Sequence, residues 1–153
     1  MNYTIVDRPG FKIIGIAVRT TNANGKSMTD IGKLWQDFFS KNTGTLIPNK
    51  IGNDIINLYT DYETDHTSEY LTILGHKVSS LENIPKGMIG KEIPKSRYAL
   101  FQSKGKLPDV VVQTWSEIYA TPLKRNYKAD FDVYGEKASD PNNAIVETFV
   151  SID

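Results

Sequence analysis

The chain has 153 residues, 39% of them hydrophobic and 24% charged, with 18 Lys plus Arg balanced by 18 Asp plus Glu. That length buries a core without metal or disulfide staples, and balanced charge is not the basic surplus of a nucleic-acid binder. Without cysteine there is no disulfide, thiol nucleophile or thiolate metal site.

The N-terminal MNYTIVDRPG carries an acid and a proline where a signal peptide needs an apolar core. No apolar run approaches the roughly 20 residues of a membrane span, so a cytoplasmic protein without a membrane partner is expected. FKIIGIAVRT (11–20) is the first predicted strand. Ile31, Leu34, Trp35, Phe38 and Phe39 then recur at helical spacing, with Ser27 and Asp30 as a predicted cap and Asn42 to Gly44 as the stop. Two strands follow, NDIINLYTDY (53–62) and YLTILGHKV (70–78), and IPKGMIGKEIP (84–94) reads as a connector. SRYALFQSK (96–104) opens a second set. Its helix starts with Pro108 in the first turn, carries Val111, Trp115, Ile118 and Tyr119 on one face, and stops near Thr121, before Pro122. ADFDVYGEK (129–137) and AIVETFVSI (144–152) complete it.

The same order, strand, helix, strand, strand, thus occurs twice, with repeats at about 3–80 and 92–153 of one domain over 1–153. Trp35 matches Trp115, and Tyr59 matches Tyr134. Neither half covers its own apolar surface. The expected fold is therefore α+β: a curved, antiparallel-rich sheet with two helices, pseudo-twofold symmetry and a ligand cleft between the repeats.

Strand alternation places Asp130, Asp132 and Tyr134 on one face, and Phe131 and Val133 on the other, where a helix is expected to bury them. The first repeat puts Asn57, Tyr59 and Asp61 together and Tyr62 opposite. Aromatic rings around a recessed carboxylate suit a hydrophobic cation, through stacking, cation–π attraction and charge pairing. Trp35, Trp115 and Tyr119 are candidate pocket walls, and Glu147 is a second candidate acid. Arg97 and Arg125 read as surface residues, and the run Asp61 to Glu69, with His66, as a solvated hairpin turn and not a metal site. No metal or cofactor is expected.

Several motifs resemble one family in the same order: IPNKIGNDIINLYTDYETDHTSEYLTILGHKV, then IPKSRYALFQSKG, TWSEIY and RNYKADFDVYGEKASDP. This is the GyrI-like superfamily, the bacterial transcription activator effector-binding domain, in its stand-alone, integron-cassette branch; the resemblance runs from about Tyr3 to Ile152. It implies a multidrug-type module that senses or sequesters lipophilic cations. Relatives fused to AraC-type or MerR-type DNA-binding segments are drug sensors in transcription regulation. A first strand near residue 11 leaves no length for such a segment here, so direct nucleic-acid contact is not expected, and a regulator protein is the implied partner. Other relatives hydrolyse strained electrophiles, which would make Asp132 and Tyr134 catalytic. Where the family motif is Phe-Glu-x-Tyr, this chain has Phe-Asp-Val-Tyr. Retracting the charge by one methylene is better tolerated by charge pairing than by acid–base catalysis, so binding is the expected role.

Overall fold

The computed structural model describes residues 2–153; Met1, the first residue of the expected domain, lies outside them. Six strands form where the alternation predicts: β2 (Phe11–Thr21), β3 (Ile55–Thr60), β4 (Glu69–Val78), β6 (Ser96–Gly105), β7 (Ala129–Tyr134) and β8 (Ala144–Ile152). Two short strands were not anticipated, β1 (Thr4–Arg8) and β5 (Ile89–Ile93), the latter inside the predicted connector. The helices are α1 (Lys26–Ser40), a single turn α2 (Thr43–Leu46) and α3 (Asp109–Ala120). Ser27 lies inside the first turn of α1 and not at its cap. The cap position is Gly25, whose φ of 69° suits a residue without a Cβ. Pro108 stands one place earlier than expected, just ahead of α3, and Thr121 is extended before Pro122.

All eight strands make one antiparallel sheet in the order β1-β6-β8-β7-β3-β4-β2-β5. Read outward from the middle, β3-β4-β2-β5 and β7-β8-β6-β1 are the same arrangement about a pseudo-twofold axis. Each unit takes its edge strand from chain outside the four-element repeat, and the N-terminal β1 completes the second unit. The axis passes through the central β3/β7 ladder, where Asn57 faces Asp132. At Gly15 and Gly75, directly paired in β2 and β4, a Cβ would overlap the facing carbonyl of Leu74 or Ile14, so this close approach admits only glycine.

The two sheet faces are buried differently. On one, Ile13, Ile73, Tyr98, Phe131 and Phe149 from both units form a single cluster that holds no helix residue. Phe131 and Val133 belong here, so the expectation that a helix covers them is corrected: they pack against strand residues of both units. On the other face the helices make two separate clusters. Leu34 and Phe38 of α1 pack on Ile14 and Leu74, and Ile118 of α3 packs on Phe101 and Val150. The helices thus cover the outer strands and leave the central ladder open between them. Among the described residues no helix is long and apolar enough to cross a membrane.

Candidate functional site

Over that open ladder lies a cleft of about 410 Å³, within the range of about 300–1,000 Å³ usual for small-molecule sites. Met28, Ile31 and Trp35 of α1 form one wall, and Val111, Trp115 and Tyr119 of α3 the other. Asn57, Tyr59 and Tyr134 form the floor. Each tryptophan meets a floor tyrosine from the opposite unit edge to face. Trp35 and Tyr134 have ring centroids 4.7 Å apart, and Trp115 and Tyr59 are 5.3 Å apart. The Trp35–Tyr134 pair also borders a second, larger hollow of about 1040 Å³ that reaches Asp54 and Glu136.

Beneath the floor the two units present their tryptophans with different acceptors. In the first, Trp35 Nε1 donates to Asn57 Oδ1 at 3.1 Å, and Asn57 Nδ2 donates to Thr72 Oγ1 at 2.7 Å. In the second, Trp115 Nε1 donates to Asp132 Oδ1 at 3.2 Å. Thr148 Oγ1 donates to the same oxygen at 2.6 Å, and Tyr59 OH donates to Asp132 Oδ2 at 2.7 Å. The threonines are not strict equivalents: Thr148 stands opposite Asp132, whereas Thr72 stands opposite Tyr59.

Asp132 is fully buried, and burial pushes its carboxyl up to about 6 although the donors from Thr148, Tyr59 and Trp115 pull it down. The Tyr59 and Tyr134 hydroxyls are held well above the ordinary phenol value, by burial first and the nearby Asp132 charge second. Both stay protonated. The site therefore offers a buried carboxylate near neutral pH, reached through Tyr59 and Trp115 and not directly from the cleft.

The structure brings together Asp132, Asn57, Tyr59, Tyr134, Trp35, Trp115 and Tyr119. Glu147 stands apart: it pairs with Val133, on the face turned from the cleft. Four groups escaped the sequence reading. The strand ends at Thr60, and Asp61, at φ 48°, turns Tyr62 toward the cleft, where its hydroxyl donates to Asp130 Oδ2 at 2.6 Å. Asp61 itself leaves the floor and pairs with Lys91 at 2.7 Å. His66, expected in solvent, stacks on Tyr119 at 4.7 Å and closes one end of the cleft. Tyr70 lines that end and donates to Asn22 Oδ1 at 2.7 Å. Arg125, expected on the surface, is buried and pairs with Asp130 at 2.8 Å. No local pattern in the sequence marks this end wall. Among the described residues no group of three or more His, Asp or Glu is placed to hold a metal ion.

Two paired sheet–helix units enclosing an aromatic cleft define an effector-binding fold. Residues 4–152 match the integron-associated effector binding protein family, and the chain belongs to it. It is 28% identical over 148 residues to a putative transcriptional regulator, YobU of Bacillus subtilis, covering 92% of this chain and 91% of that one. It is 25% identical to the transcriptional regulator BrlR of Pseudomonas aeruginosa, of which it spans 56%. Among solved structures, an integron cassette protein from the mobile metagenome of Vibrio cholerae superposes with a TM-score of 0.76 at 28% identity, over 99% of this chain and 95% of that one. The fold is shared at a TM-score of 0.80 and 16% identity with SAV2435, solved bound to tetraphenylphosphonium, over 100% of this chain and 94% of that one.

Proposed function

We propose that the cleft binds an amphipathic cation of drug-like size, its rings between Trp35 and Trp115 and its charge above Asp132. The observation that carries this is a fully buried carboxylate, supplied with three hydrogen-bond donors but with no cation among the described residues, under an aromatic floor. A charge about 6 Å away, across Tyr59 or Trp115, gains about 3 kcal/mol at an effective dielectric of about 20. The ring faces add cation–π attraction. Arg125, at the cleft's end, does not cancel the field because Asp130 already neutralises it. The effector-binding family and the phosphonium held by a protein of this fold support the reading.

Hydrolysis is the weaker reading. Both oxygens of Asp132 are engaged by donors and the residue is closed to solvent, so it is poorly placed to activate water. The test is tryptophan quenching with tetraphenylphosphonium, alongside an aryl trimethylammonium and its neutral tert-butyl isostere. Asp132→Asn is expected to weaken both cations by about 1–3 kcal/mol and leave the isostere unchanged. Equal affinity of wild type for the cation and its isostere would remove the electrostatic part of the proposal.

A further inference from the structure

One cleft residue is left over by the cation reading. The Arg125 side chain is only 6% exposed, and Nη2 donates to Asp130 Oδ2 at 2.8 Å. Nε and Nη1 are buried and meet no acceptor among the described residues. A buried donor without an acceptor is costly, so two on one side chain at a cleft wall point to a group from outside. The guanidinium cannot readily turn to solvent. It sits between two rings, 4.5 Å from the Tyr127 centroid and 5.8 Å from that of Trp115.

Trp115 links this corner to the buried acid, since its Nε1 edge donates to Asp132 while its ring neighbours Arg125. A molecule lying on Trp115 therefore stands beside Arg125 and across the indole from Asp132. Charge counting decides which group suits Arg125. Arg125 and Asp130 cancel, and a ligand cation balances Asp132. A ligand carboxylate would leave one buried negative charge uncompensated, whereas a carbonyl oxygen accepts an N–H with no such penalty.

We propose that the cleft selects molecules carrying one positive charge and, about one indole width away, a neutral carbonyl-type acceptor for an unbonded N–H of Arg125. This rests on the cation reading above and narrows its ligand class. Three triphenylphosphonium ions with the same butyl spacer test it at pH 8, ending in an isopropyl group, a dimethylamide or a carboxylate. Burial alone ranks the alkyl compound tightest. The proposal expects the dimethylamide to bind about fivefold tighter than the alkyl compound, and the carboxylate no tighter than the dimethylamide. Arg125→Lys keeps a positive charge for Asp130 but has no N–H at the Nε and Nη1 positions, and should bring the amide-to-alkyl ratio close to one. An amide no tighter than the alkyl compound in wild type overturns the proposal and assigns the Arg125 donors to water. So does a ratio that survives Arg125→Lys, or a carboxylate that binds tightest. Failure of the cation reading shows separately, as three affinities that Asp132→Asn leaves unchanged while the amide-to-alkyl ratio still reports on Arg125. If none of the three binds, both readings fall.

Discussion

The two units set the same indole N–H over the middle of the sheet and satisfy it with different acceptors. Trp35 meets the neutral amide of Asn57, and Trp115 meets the carboxylate of Asp132, directly across the central ladder. The first unit shows that an amide is enough for folding, since Asn57 accepts from the indole and donates to Thr72. The carboxylate is the poorer choice for stability. Its carboxyl titrates near 3.8 when exposed and at about 6 in the fold, so the folded protein holds the proton more tightly between those values. Above about pH 6 the ionised group destabilises the fold by about 3 kcal/mol, and this penalty fades as pH falls toward 4. A charge kept at that cost, on one side of a near-symmetric pair, does not serve folding, and the proposed cation binding would account for it.

The comparison breaks most sharply in Asn57→Asp, which sets a second carboxylate opposite the first. Like charges at that spacing in a dry site cannot both ionise, and a loss of about 3–5 kcal/mol at pH 8 is expected. Urea unfolding should show recovery below about pH 5, because both groups then carry protons. A variant as stable as wild type at pH 8 would mean that water reaches the floor.

Asp132→Asn makes the second unit chemically like the first. With the amide oxygen in place of Oδ2 it accepts from Tyr59 and, through the longer 3.4 Å contact, from Trp115, and the nitrogen faces Thr148 Oγ1, which turns its own proton aside. Ligand-free stability should rise by about 1–3 kcal/mol at pH 8, and the gain should vanish below about pH 4. A destabilised variant would show that the fold needs the charge.

The floor tyrosines give the smallest contrast. Tyr59→Phe removes a donor from the carboxylate, at about 1–2 kcal/mol, and moves the Asp132 titration further upward. Tyr134→Phe, whose hydroxyl donates to neither Asn57 nor Asp132, should stay within about 0.5 kcal/mol of wild type in stability and in cation affinity. Equal losses at the two positions would contradict the asymmetry of the floor.

Much of the fold was legible because its signals are local. Alternation located the six long strands, and the spacing of Ile31, Leu34, Trp35 and Phe38 located α1. The edge strands β1 and β5 were not legible, because each is short and bounded by Pro or Gly, and their partners β6 and β2 are supplied by the tertiary fold. Within the site, the Asp132 and Tyr134 pairing followed from their spacing. Tyr62 did not, because the positive φ at Asp61 breaks the alternation that had placed it on the far face. Tyr127, another residue at positive φ, lies in the segment that carries Arg125 inward.

The sequence by itself determined the repeat, the order of its elements and the residues that alternate to one face, since period and spacing belong to the chain. It also determined that one unit carries Asn where the other carries Asp. Only the tertiary structure decided that these two stand opposite each other on the axis, and that the face they share is the one the helices leave open. It alone turned Arg125 and His66 from apparent surface residues into the end wall of a cleft. Burial, charge pairing and stacking depend on groups brought together from distant parts of the chain, and no local pattern encodes those distances.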